Sequence, residues 1–182
     1  MQYLSILKEN ENINKSLCIY LNMAICSLFI NEKSSVKKYL KYIEDNDEDD
    51  EISVLEIAKL YLLIEDYENA IRNYLKAENY YYSVDWISEN LYCYHKLRNK
   101  ENFNILFNKF IEEKESEIKE NINDKEFDIK YERELQNSIN ELKKIKNDIL
   151  CDTYKLNDNF EMYIEKDCYL FGCIQHNNKY EI

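Results

Sequence analysis

The stretch VLEIAKLYLLIEDYENAIRNYLKA, Val54 to Ala77, decides how the rest of the chain reads. Val54, Ile57, Ala58 and Tyr61 recur at three- and four-residue spacing and so share one face of a helix, and Ala70, Tyr74 and Ala77 do the same in a second. Glu65-Asp66-Tyr67 interrupts the period and reads as a turn. Each helix carries a small residue on its apolar face, where a neighbouring backbone can come close. One such pair cannot bury its own face, so the pattern calls for further pairs stacked on it.

The order of these residues resembles the tetratricopeptide (TPR) repeat: a large residue, an aliphatic followed by a small residue, an aromatic three further on, then a small residue four before an aromatic in the second helix. Glu65 stands where that turn usually has glycine. Thirty-four residues back, Tyr20, Met23, Ala24, Ser27, Val36, Leu40 and Ile43 form a weaker copy. The chain's four alanines, Ala24, Ala58, Ala70 and Ala77, all fall where the repeat wants a small residue. A third, degenerate copy sets Phe103, Leu106 and Phe110 against Tyr67, Ala70 and Tyr74 at an offset of 36, which puts Tyr94 in the small place of Ala58. The resemblance covers residues 17 to 112.

It implies an all-α fold of antiparallel helix pairs, stacked as a short TPR-like solenoid whose concave groove grips an extended or helical peptide. Transferred by position, the lining is Asn22, Ile25 and Phe29 from the first pair and Leu55, Glu56, Lys59, Leu62 and Leu63 from the second. Lys59 alone does not make the basic cluster with which some family members clamp a peptide C-terminus. Two readings of the groove stay open: it meets a partner, or the C-terminal part of the chain fills it as core.

Beyond Phe110 the pattern becomes charged, with a cap expected near Asn123 or Asp124. Leu135, Ile139, Leu142, Ile145 and Ile149 then make one apolar stripe, which predicts a long helix from about 124 to 154 with a narrow buried face. Residues 1–155 thus read as a single helical domain. Residues 156–182 read as a tail packed on it, irregular or a small hairpin, because Phe160, Met162 and Ile164 alternate and Tyr169 to Ile174 is a short apolar run.

Composition agrees with a helical chain. Among 182 residues there is no proline and one glycine, Gly172, against roughly nine and about a dozen in an average chain of this length. Tight-turned sheets and glycine-rich phosphate loops are thereby excluded. Lysine outnumbers arginine 21 to 3, a bias of AT-rich codons that also contributes to the missing glycine and proline. With 24 basic against 36 acidic side chains the net charge is −12, which repels nucleic acid and anionic lipid and suits a basic partner. The six cysteines form no compact framework and read as reduced, buried, small apolar residues of a cytoplasmic protein. The apolar run Leu17 to Ile30 is interrupted by Asn22 and followed by Asn31-Glu32-Lys33, so no signal peptide or membrane anchor is expected.

Glu44 to Glu51 holds seven acids in eight positions. It reads as a solvated loop whose last acids lie at a helix N-terminus, and Asp45, Asp47, Glu48, Asp49, Asp50 and Glu51 are the candidates for steering a basic surface. In the tail, Cys168, Cys173 and His176, with Cys151, have no standard zinc spacing, and no metal or cofactor is expected. Neither His95 nor His176 has a catalytic motif around it, and no nucleophile-elbow, zincin or P-loop string occurs. Tyr80, Tyr81, Tyr82 and Trp86 read as filling between helix pairs.

The function expected is a non-enzymatic interaction module that binds a protein or peptide, through the groove, the acidic surface or both. One alternative is an immunity protein or antitoxin that covers a basic toxin such as a nuclease, an analogy of charge and composition. Another is a small metal-binding or enzymatic site in the tail.

Overall fold

The computed structural model describes Ser5 and residues 17–47, 52–77, 83–123 and 128–157, and among them there are seven helices and no strand. The all-α expectation holds. The chain divides into two compact units, and the division falls inside the opening stretch, between Ile64 and Glu65.

The first unit contains α1 (Leu17–Phe29), α2 (Lys33–Asn46) and α3 (Val54–Leu63). α1 is apolar all round and is buried on every face from Leu17 to Ile25, as a wholly internal helix must be. α2 is amphipathic, burying Val36, Tyr39, Leu40 and Ile43 and turning its lysines outward. α3 packs on both, with Ile57, Ala58, Leu60, Tyr61 and Leu62 inside. Tyr20 stacks on Tyr42 with ring centroids 3.9 Å apart, and the Tyr61 hydroxyl donates to Glu44 at 2.9 Å.

The second unit contains α4 (Tyr67–Ala77), α5 (Val84–Lys96), α6 (Lys100–Asn123) and α7 (Ile129–Leu150). α5 is its centre, packed against the other three. α4 buries Ala70, Asn73, Tyr74 and Ala77 at helical spacing. The first half of α6 buries Phe103, Leu106, Phe107 and Phe110. Its second half pairs with α7 through polar groups: the Tyr131 hydroxyl donates to Glu117 at 2.8 Å, and the Asn121 amide exchanges hydrogen bonds with the Asp128 backbone. α7 buries Leu135, Ile139, Leu142 and Ile149 of the stripe the sequence predicts, and leaves its fifth member, Ile145, half-buried.

Two boundaries differ from expectation. α6 runs on to Asn123, so the cap of α7 is Asp128, whose carboxylate accepts from the Lys130 and Tyr131 N–H groups. Cys18 and Cys93 are buried as expected, but Cys151, at the solvent end of α7, is exposed. Residues 158–182, with the expected hairpin, lie outside the described residues, as do Tyr80, Tyr81 and Tyr82.

All four alanines are completely buried. A second periodic feature is in the backbone: Asn31, Glu65, Arg98 and Asp152 each follow a helix with positive φ, 60°, 66°, 57° and 55°. At Asn31, Arg98 and Asp152 the same pair of bonds closes the helix, as in Asn31 N–H to Leu28 C=O at 2.9 Å and Glu32 N–H to Ser27 C=O at 2.8 Å. The corners at 31, 65 and 98 are 34 and then 33 residues apart. Counted with the spacing of the corners at 65 and 98, Leu91 and Tyr94 stand 33 residues after Ala58 and Tyr61.

Candidate interaction surface

The eight groove residues expected from the sequence lie on α1 and α3, which pack together, but the structure divides them. Asn22, Ile25 and Leu62 are buried. They belong to the core because α1 is covered on all sides and α3 turns Leu62 inward, so they cannot line an accessible groove. Leu55, Glu56, Lys59 and Leu63 are partly exposed, and Phe29 at the end of α1 is 68% exposed. A partner can reach this second group.

Of the acidic residues, Asp45 is exposed on the last turn of α2. Asp47 is half-buried and its carboxylate accepts the Ile52 N–H at 3.0 Å, which ties down the entry to α3. It is therefore partly a structural residue. Glu48, Asp49, Asp50 and Glu51 lie outside the described residues, as do Cys168, Cys173 and His176. Among the described residues no group of three His, Cys, Asp or Glu could hold a metal ion, and no helix is long and apolar enough to cross a membrane.

Sequence reasoning missed a surface in the second unit. Ser88, Glu89, Tyr92, His95 and Lys96 stand 33 residues after Leu55, Glu56, Lys59, Leu62 and Leu63, the spacing of the corners at 65 and 98. Four of them gather with residues of α4 and the segment after α7. Tyr92 lies between Tyr67, edge-on at 6.4 Å, and Tyr154, tilted at 5.6 Å. Lys96 Nζ sits 4.9 Å above the Tyr92 ring and donates to Asp152 at 3.3 Å, and His95 Nε2 is 3.4 Å from the same carboxylate oxygen. Beneath, the Tyr74 hydroxyl donates to Glu89 at 2.7 Å and its ring stacks on Trp86.

The electrostatics of this cluster are lopsided. Burial, and then the charges of Glu89 and Asp85, push the Tyr154 phenol well above the usual tyrosine range. Burial, then Tyr92 and Glu65, raise Tyr67 as well. The hydrogen bond from Lys96, followed by that from His95, holds the exposed Asp152 below the usual carboxylate range. The signal that could have located the cluster is the corner spacing, and it is invisible in the sequence because no corner is glycine.

Comparison with models of known protein families, with curated proteins and with solved structures gives no match.

Proposed function

We propose that this chain is a non-enzymatic protein-interaction module assembled from TPR-like helix pairs. The observation that carries the reading is the left-handed corner recurring at 31, 65 and 98, in phase with four fully buried alanines at the small-residue places. Neighbour relations support it: α1 packs on α3 and α5 on α7, alternate helices meeting as first helices of successive pairs do. The polar outer side of α7, from Arg133 to Asn147, suits a terminal capping helix.

The partner surface on the first unit is the half-exposed face of α3, Leu55, Glu56, Lys59 and Leu63, together with the exposed Phe29 at the end of α1. An aliphatic and aromatic anchor region edged by charge is the usual composition of a protein contact. The net charge of −12 favours a basic partner, and inhibition of a basic toxin is the specific form of the proposal that this charge supports. Affinity capture with the intact chain from its native host tests the module reading. Retention of one protein at stoichiometric yield is expected, and retention of none would contradict it. A toxin-like protein encoded beside this chain would single out the inhibitor form.

A further inference from the structure

We propose that the segment after α7, Asp152 to Tyr154, is a hinged cover on α5 that opens while the second unit stays folded and bares the Tyr92 ring. This opening does not depend on the interaction-module reading.

The cover begins at a corner. Asp152, with φ 55°, turns the chain as it leaves α7, and residues 153–157 carry neither helix nor strand. Two contacts then hold the segment to α5. The Asp152 carboxylate meets Lys96 Nζ at 3.3 Å and His95 Nε2 at 3.4 Å, and the Tyr154 ring tilts against Tyr92 with centroids 5.6 Å apart. Lys96 Nζ also lies 4.9 Å from the Tyr92 centroid, so one lysine joins the carboxylate to the aromatic contact. Toward α7, the Thr153 and Tyr154 N–H groups both donate to the Asp148 carbonyl, at 2.8 and 3.1 Å.

These attachments differ in kind from the packing beneath them. The Asp152 side chain is 67% exposed, so its pairs with Lys96 and His95 work in water, where such pairs contribute little and are screened by salt. Tyr154 is half-buried and Thr153 is exposed. In α5, by contrast, Ile87, Leu91 and Cys93 are completely buried, and the helix packs against α4, α6 and α7. Segments with few buried apolar contacts open at lower free energy than the core they rest on, so the cover can leave while α5 stays. Tyr92 and Lys96 stand 33 residues after Lys59 and Leu63 of the exposed α3 face. The cover therefore closes on α5 a stretch that α3 leaves accessible.

The test follows the full-length chain by NMR, reading amide hydrogen exchange at Tyr154 and Leu91 together with the Tyr92 ring resonances. In wild type the Tyr154 amide is expected to exchange about a hundredfold or more faster than the Leu91 amide, at a rate that low urea does not change. Asp152→Asn removes the charge and keeps a side chain that tolerates the left-handed corner. It should speed Tyr154 exchange about threefold and leave Leu91 exchange and the urea midpoint where they are. It should also move the Tyr92 ring shifts toward those of Tyr154→Ala, which defines the bare ring, and high salt should move wild type the same way. Exchange of Tyr154 at the Leu91 rate would show that the segment leaves only on unfolding. Unmoved Tyr92 shifts in Asp152→Asn would show that the carboxylate does not hold the cover. Either result overturns the proposal.

Discussion

Asn31 and Glu65 hold the same left-handed backbone conformation, φ 60° and 66°, 34 residues apart. Neither is glycine, and neither is Arg98 at the next corner. A side chain in this region costs about 1–2 kcal/mol, partly offset because a non-glycine residue has less unfolded-chain entropy to lose. We therefore expect Arg98→Gly to raise stability by about 0.5–1 kcal/mol, read as a higher urea midpoint. Asn31→Gly should gain less, since asparagine tolerates this conformation. A lower midpoint for Arg98→Gly would mean that its side chain supports the corner.

Asn90 is completely buried, and neither end of its amide has a hydrogen-bond partner among the described residues. It stands 33 residues after Ile57 of α3, which is buried and apolar. An unsatisfied buried amide costs about 1–3 kcal/mol, so Asn90→Leu, close to it in volume, should stabilise the second unit by an amount of that order. Calorimetry gives the check: a lower melting temperature would show that the amide is satisfied, for instance by buried water.

Tyr74 is expected to govern the alkaline limit of stability. Burial, then the charge of Glu89, holds its ionisation well above the ordinary tyrosine value. The folded value lies above the unfolded one, so the contribution is whole below pH about 10 and is lost as pH rises toward the folded value. The urea midpoint should be flat from pH 7 to 9 and fall above about pH 10. Tyr74→Phe should lower stability at pH 7 by about 1–2 kcal/mol, because the hydrogen bond from its hydroxyl to Glu89 is lost, and should flatten the alkaline fall. Tyr154 and Tyr67, also raised, supply the remaining slope.

The stripe on α7 separates two leucines only eight positions apart. Leu142 is completely buried and Leu150 is half exposed. Leu142→Ala should cost about 2–5 kcal/mol and Leu150→Ala under about 0.5 kcal/mol. Asp128→Ala, which removes the cap, should cost about 1 kcal/mol. Similar losses from the two leucines in chemical denaturation would refute the assignment of the buried face.

Much of the fold was legible because burial leaves a periodic trace. The alanines and the Leu135 to Ile149 stripe were readable for that reason. The boundary between α6 and α7 was not, since nothing in the charged run Glu112 to Asn123 stops a helix and Asp128 resembles the other acids until its carboxylate is seen on two N–H groups. The corner at Arg98 was not readable, because nothing in the local sequence marks left-handed backbone there. Without that corner the Tyr92 cluster had no signal. In the groove, positional transfer could not anticipate that α1 is covered on every side, which removes Asn22 and Ile25 from any surface.

The central claim is that the exposed face of α3 meets a protein partner. Its most direct test is isothermal titration of the captured native partner with wild type and with a Lys59→Ala, Leu63→Ala double variant, with the urea midpoint measured on the same samples. The account predicts that affinity falls at least tenfold while the midpoint moves little. Unchanged affinity, or a midpoint that collapses while affinity per folded molecule is retained, would contradict it and make those side chains part of the core.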